Sequence, residues 1–254
     1  MTTDTELAST GLRTLIIIPA FNEEASLPRV LTDLALQLPG FDVLVVDDGS
    51  RDDTALVATK SGVAVLCLPF NLGVGGALQT GFRYAVRNGY DRAIQFDADG
   101  QHDPTEVWKL LGGLDAGADL MIGSRFAAGG AVTYPVGPFR RLGMRVLRRI
   151  VRALVGRDFT DTTSGFRAFS RPLLEFFAQT YPTEYMGDTV EALVMTANAG
   201  FRPDEVGVNM HGRTGGAPSN RRFRLFYYYV RLVVVLLSSA SSRRTRAATR
   251  EARA

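Results

Sequence analysis

Five short apolar runs, residues 14–18, 42–46, 63–68, 92–96 and 119–123, each stop abruptly at a polar cluster. Stretches of helical period follow the first four. Runs of this length rich in Val, Ile and Leu read as strands buried on both faces. The intervening segments are amphipathic: Leu27, Val30, Leu31, Leu34 and Leu38 fall on one helical face before Pro39-Gly40 closes it. Further helices are expected over about 52–60, from the Asn71–Ala77 glycine-rich stretch through Leu78, Phe82, Tyr84 and Ala85, and over 104–114. Strand–helix alternation at this spacing gives a doubly wound α/β sheet with parallel strands. At 254 residues and 46% hydrophobic, the chain can bury one substantial core with a small appended region. Its one cysteine, Cys67, lies in the third run. No disulfide can form within the chain, which suits a reducing compartment, and Cys67 is expected to be a small core residue.

In such sheets ligands bind beyond the carboxyl ends of the strands. Those ends carry Phe21-Asn-Glu23, Asp47-Asp48, Asn71-Leu-Gly73, Asp97-Ala-Asp99 and Ser124-Arg125. The fourth is the most telling. Asp97, Asp99 and Gln101 place hard oxygen ligands at alternate positions, Gly100 permits a sharp turn, and Pro104 suits the first turn of a helix. Asp103 is the expected N-cap, and capping needs only one carboxylate, which leaves Asp97 and Asp99 to be explained. Mg²⁺ binds through one or two carboxylates plus the phosphates of a substrate, so this stretch reads as half of a metal site completed by a phosphorylated ligand. An EF-hand is excluded, because Trp108 stands where the closing Glu belongs and Gly100 is misplaced. A dinucleotide fingerprint is excluded too: Gly73-Val-Gly75 does not follow the first strand, and the third glycine would fall at Leu78.

Beyond Arg125 the pattern changes. Residues 126–137 are rich in Gly and Ala and read as a loop. Residues 139–155 put Leu142, Val146, Leu147, Ile150, Val151 and Leu154 on one helical face, with Arg141, Arg145, Arg148, Arg149 and Arg152 on the other. A basic amphipathic helix of this kind is interfacial or else a surface helix with a solvated arginine face. Residues 158–169 form a loop feeding a short strand. Helices are expected at 173–177 and 188–199, and a further strand at 203–208. Residues 225–237 are apolar and aromatic, too short to span a bilayer and interrupted by Arg231. This segment fits the lipid headgroup level or packing on the core or a partner. From Asn209 onward ten arginines face Glu251 alone, and the rest of the chain is net acidic. Basic patches on an acidic body bind polyanions, whether nucleic acid or an anionic membrane surface. The polar, slightly acidic N-terminus lacks the charged and apolar regions of a signal peptide.

The ordered set Pro19-Ala-Phe-Asn-Glu-Glu24, Val45-Val-Asp-Asp-Gly-Ser50, Asn71-Leu-Gly73, Asp97-Ala-Asp-Gly-Gln101, Gly123-Ser-Arg125 and Ser164-Gly-Phe-Arg167 resembles family 2 glycosyltransferases of the GT-A fold. Within that family it looks most like the polyprenyl-phosphate, dolichol-phosphate mannose synthase-like branch. The resemblance runs from about residue 15 to 216 and implies a mixed, mainly parallel GT-A sheet. It also implies C-terminal amphipathic helices that associate with membrane. The boundaries it suggests are a flexible 1–12, a catalytic domain 13–216 containing the basic helix 138–156, an apolar helix 217–240 and a disordered basic tail 241–254. The implied activity is inverting transfer of a hexose from a UDP- or GDP-sugar to a polyprenyl phosphate, with Mg²⁺ or Mn²⁺, at the cytoplasmic membrane face. Pro19, Phe21, Glu23, Asp48 and Asn71 map onto nucleotide recognition, and Asp97, Asp99 and Gln101 onto the metal and diphosphate. Arg125 and Arg213 correspond to phosphate-holding positions, and Glu191, fourteen residues before Glu205, to an acceptor-side glutamate.

Two departures stand out. The family's Arg-x-x-Gly-x-Ser-Lys loop appears as Arg213-Thr-Gly-Gly-Ala-Pro-Ser219-Asn220, with the serine one place late and no lysine. Many relatives continue into transmembrane helices where this chain stops, so docking is expected through the basic segments, a small membrane subunit, or both. A phosphate acceptor is already ionised and needs positioning by arginines more than a base. A hydroxyl acceptor needs a carboxylate, for which Asp188 is the first candidate and Asp158 and Asp161 follow. A nucleic-acid-binding role is the remaining alternative; the arginines alternate with aliphatic faces and match no nucleic-acid module.

Overall fold

The computed structural model describes residues 11–129, 138–182 and 188–211. The 217–240 helix, the 241–254 tail, the Arg213 loop and most of the 126–137 loop and N-terminus therefore lie outside the described residues. Seven strands form one sheet in the order β3-β2-β1-β4-β6-β5-β7. These are β1 (Thr14–Ala20), β2 (Asp42–Asp47), β3 (Ala64–Cys67), β4 (Arg92–Gln95), β5 (Leu120–Ser124), β6 (Arg167–Ser170) and β7 (Pro203–Gly207). Helices α1 (Leu27–Gln37), α2 (Thr54–Lys60), α3 (Val74–Arg87) and α4 (Val107–Asp115) follow the first four strands, and a 3₁₀ turn, Pro104–Glu106, precedes α4. The C-terminal half adds α5 (Pro138–Val155), α6 (Arg171–Thr180) and α7 (Asp188–Asn198). Strict alternation along β1 feeds two cores. Leu15 and Ile17 pack with α3, α5, α6 and α7, whereas Ile16 and Ile18 pack with α1 and α4. Both faces are buried, as the continuous apolar runs require.

Four expectations need correction. β1 does not end at Pro19 but continues to Ala20, pairing Pro19 with Val46. The amide that proline lacks would face β4, and β4 reaches only as far as Gln95 opposite Ile17, so no ladder bond is forfeited. Cys67 is exposed, not core. β3 is the sheet's edge and pairs with β2 alone, so its side chains are covered less than those of its neighbours. The sheet is not wholly parallel: β6 runs against both β4 and β5, which confirms the mixed character implied by the resemblance. In α5, Leu147 and Val151 are buried and Arg145, Arg148, Arg149 and Arg152 exposed, but Val146 is exposed as well, one position round from Leu147.

Candidate active site

The reversal of β6 shapes the site. Because β6 is antiparallel, it begins at the edge where β1, β2, β4 and β5 end, bringing Ser164-Gly165-Phe166 beside the Asp97 loop. On the other side of β4, the loops after β1, β2 and β3 are fastened to one another. Asn22, at φ +55°, donates its backbone N–H to Ser50 Oγ (2.9 Å) and accepts from Arg51 N at its Oδ1 (2.8 Å). Glu23 N donates to Thr54 Oγ1 at 2.8 Å, and the Glu23 carboxylate accepts from the Ser26 hydroxyl.

Asp48 ties the second loop to the third: its two oxygens accept from Leu72 N (2.7 Å) and Gly73 N (2.8 Å). Burial raises its pKa above the ordinary value despite these two amides, and neighbouring Asp47 adds to the rise. Gly49 makes the close approach possible. It sits at φ +72°, and a Cβ there would lie 2.8 Å from the Phe70 carbonyl carbon. Asn71 Oδ1 accepts from Gly73 N at 3.1 Å. Phe21, Glu23, Asp48 and Asn71 are thus gathered on three interlocked loops, with Pro19 in the last residues of β1, and Asp48 shapes the platform itself. Phe70, singled out by nothing in the sequence beyond an aromatic at a strand end, is 62% exposed on the third loop, and Phe21 on the first loop and Leu72 are exposed as well.

At the end of β4, Asp97 and Asp99 are held differently. Asp99 is buried and accepts from Gln101 N (3.0 Å) and Gln101 Nε2 (2.9 Å). Asp97 keeps 37% of its side chain exposed. Its backbone N–H donates to His102 Nδ1 at 3.1 Å, and His102 Nε2 lies 3.4 Å from Asp97 Oδ2. His102 is buried, stacked on Phe166 at 4.7 Å and set edge-on to Phe96 at 5.2 Å. Burial pushes its pKa down to about 4, so the imidazole is neutral at pH 7 with Nδ1 as the acceptor. His102 went unrecognised in the sequence, where only its place among acids marked it. Asp103 caps as expected, accepting from Thr105 N at 2.9 Å. His211 N donates to Gln101 O at 2.8 Å, so the last described residue lies beside the Asp97 loop.

Hard carboxylate oxygens, one pair exposed and the other oriented by an amide, fit a divalent cation of the Mg²⁺ or Mn²⁺ class. Gly165 strengthens that fit. A Cβ there would lie 2.9 Å and 3.0 Å from the two Asp97 oxygens, so the bare glycine leaves the carboxylate its place. Among the described residues no group of three or more His, Cys, Asp and Glu could hold an ion unaided. Asp97 and Asp99, with Gln101 orienting Asp99, would supply the protein's share of the ligands.

The far side of the edge is built from buried charge. Arg125 clasps Asp161 through Nε–Oδ2 (2.6 Å) and Nη2–Oδ1 (2.9 Å), and its guanidinium lies 5.5 Å from the Phe126 ring centre. Arg125 is therefore directed at a carboxylate in this structure, and Asp161 is fully buried. Asp158 pairs on the surface with Arg148 at 2.7 Å, which lowers its pKa and weakens it as a base. Glu205 accepts from Thr160 N (2.9 Å) and Thr160 Oγ1 (3.1 Å); Thr160 thus spends its hydrogen, and Ser124 donates to it at 2.6 Å. Asp188 opens α7, and Glu191 stands half-buried one turn on. Arg213 lies outside the described residues.

Known proteins match this arrangement. A polyprenol monophosphomannose synthase of Mycolicibacterium smegmatis is 40% identical over 170 residues, 64% of this chain and 63% of the relative. This chain therefore spans under two thirds of that relative's length. An undecaprenyl-phosphate mannosyltransferase of Micrococcus luteus is 37% identical over 202 residues, 77% of this chain and 82% of the relative. Among solved structures, glucosyl-3-phosphoglycerate synthase from Mycobacterium tuberculosis with Mn²⁺, UDP and glucosyl-3-phosphoglycerate superposes with a TM-score of 0.72 at 24% identity, covering 93% of this chain and 83% of that one. The same enzyme with Mg²⁺ and UDP gives 0.70 at 26% identity, covering 93% and 83%. The sheet is that of the GT-A glycosyltransferases. The glycosyl transferase family 2 description matches residues 15–177, and the chain belongs to that family.

Proposed function

We propose that this protein moves a hexose from a UDP- or GDP-linked donor to a polyprenyl phosphate, with inversion, at the cytoplasmic face of a membrane. The observation that carries the reading is the partly exposed Asp97 carboxylate, seated on Gly165 at the same sheet edge as the loops that Asp48 and Asn22 lock together. In the reaction an acceptor phosphate oxygen forms a bond to the sugar's anomeric carbon as the bond from that carbon to the nucleotide's β-phosphate breaks. A divalent cation held by Asp97 and Asp99 would neutralise charge on the departing diphosphate. The Mn²⁺ and Mg²⁺ complexes of the structural neighbour support that metal class, and the names of the two sequence relatives support the acceptor. Phe21 and Phe70 offer apolar faces for the base. Among the described residues no helix is long and apolar enough to cross a membrane. The exposed arginines of α5 support attachment to an anionic lipid surface, alone or with a small membrane subunit. The test is transfer of radiolabelled sugar from UDP- and GDP-hexoses into solvent-extractable polyprenyl phosphate with Mn²⁺. A purified protein that turns over none of these donors would sink the proposal.

A second reading keeps the enzyme and exchanges the acceptor for a small hydroxyl compound. It is favoured by the structural neighbour crystallised with phosphoglyceric acid, at 25% identity. Asp188 is then the base, and Asp188→Asn would abolish transfer while nucleotide binding persisted.

A further inference from the structure

The short segment from Thr162 to Arg167 touches both sides of the site. Successive side chains on a strand point to opposite faces, and here the two faces hold different cargo. On the α1/α4 face, Phe166 stacks on His102, whose Nδ1 holds the Asp97 backbone N–H. Just before it, Gly165 lies against the Asp97 carboxylate. On the opposite face Arg167 is fully buried and stands across the ladder from Gln95, two residues before Asp97. Its guanidinium donates to Ser164 O (2.8 Å) and Thr162 O (3.2 Å) within its own segment, and to Thr189 O (2.7 Å) in the first turn of α7. A guanidinium is always charged, and a well-packed apolar side chain would fill the same volume without desolvating a charge. What the fork supplies that an apolar side chain cannot is a set of directed bonds that brace its own loop and reach Thr189 O of α7, which no strand pairing connects to β6.

We infer that Arg167 is a positioning residue that fixes the first turn of α7, with Asp188 and Glu191, relative to the Asp97 carboxylate, and that Gly165 sets the spacing on the other side. Arg167 thus serves the acceptor side and Gly165 the metal and donor side of one six-residue segment. The functional consequence rests on the proposed reading that α7 faces the acceptor.

Hydrogen exchange, Mn²⁺-dependent UDP and GDP binding, and acceptor KM, measured on the full chain, separate the two roles. In Arg167→Met, and to a smaller extent in Arg167→Lys, amides of residues 190–193 should exchange about tenfold faster, the scale of one lost hydrogen bond to a charged group. Amides of residues 72–77 and nucleotide affinity should stay unchanged, while acceptor KM rises about tenfold or more. Gly165→Ala should do the reverse, weakening Mn²⁺-nucleotide binding and leaving α7 exchange alone. If Arg167→Met fails to fold, Arg167→Lys decides. Unchanged α7 exchange in Arg167→Lys, or equal loss of donor and acceptor binding in both variants, overturns the inference. If the unaltered protein transfers nothing to polyprenyl phosphate yet α7 loosens as described, the positioning role stands and only the acceptor assignment falls.

Discussion

The first four strands and the last three solve the same problem by different means. Around β3, β2 and β1, loops are joined by neutral or singly charged side chains accepting from backbone amides, as Asn22 does from Arg51 and Asp48 from Leu72 and Gly73. Around β6, β5 and β7, irregular segments are held by buried guanidinium groups, Arg125 on Asp161 and Arg167 on backbone carbonyls, with half-buried Glu205 accepting from Thr160. The difference follows from topology. In the first region each loop's neighbour in space comes from the next strand in sequence; in the second the order β4-β6-β5-β7 scatters partners, and Thr160 reaches 45 residues to Glu205. Successive βα units make a platform of interlocked loops, which the proposed reading assigns to the donor. The interleaved strands build the opposite wall, and buried ion pairs are a means of fixing such irregular backbone.

If the first region supplies the charge-neutralising chemistry, Asp97→Asn should be the most damaging single change. Transfer should fall by about 10³-fold, the scale for losing one preorganised electrostatic group. Thermal stability should change far less than turnover, because Asn keeps the shape of the Asp side chain. A small loss of turnover would move the cation off Asp97, whereas partial recovery at raised Mn²⁺ would mark it as a ligand. The matching change in the second region is Asp161→Asn. It leaves Arg125 buried against a neutral partner and should cost about 3 kcal/mol of stability by denaturant unfolding. Asp48→Asn should cost less, since the amide oxygen still accepts from one of the two loop amides. Equal costs would mean that the two regions do not differ as described.

What could be read from the sequence divides along the same line. Each strand of the first region announced itself by an apolar run, and its polar end was visible as Asn22, Asp48, Asn71 or Asp97 because function and fold use the same local stretch. β6 was legible only as a short strand after a loop; nothing local records that it runs backwards, since direction is set by partners on β4 and β5. The Arg125–Asp161 clasp was invisible for the same reason: the two residues are 36 apart and neither carries a signature of the other. Cys67 misled because an apolar run does not say whether its strand is central or at the edge. His102 escaped notice since its role depends on Phe166, which stands just before β6.

His102 joins the regions, and its protonation tests the join. Its pKa falls from an ordinary value near 6.5 to about 4 through burial, so the folded state binds fewer protons than the unfolded state between those values. Its share of stability is therefore fully present above pH 6.5 and lost as pH falls toward 4. With metal chelated, unfolding free energy should drop by about 2 kcal/mol between pH 7 and 5 from this group. His102→Gln, measured over the same range, should lack that slope. Identical slopes for both proteins would show that the imidazole titrates normally.

The mildest change probes whether the second region also meets the lipid. Arg149 is exposed on α5, and Arg29 is exposed on α1 beside Asp33, on the donor side. A basic side chain near an anionic surface contributes about 1 kcal/mol, so Arg149→Gln should lower partition onto phosphatidylserine-containing vesicles about fivefold. Arg29→Gln should leave it unchanged. In about 1 M salt the Debye length shrinks to about 3 Å, and the two variants should then partition alike. If both weaken binding equally at low salt, attraction is to the chain's overall charge and α5 is an ordinary surface helix. If only Arg149→Gln weakens it, the membrane lies on the β5–β7 side. The acceptor would then approach across the wall built from Arg125–Asp161 and Arg167, while the nucleotide enters over the loops of β1–β3.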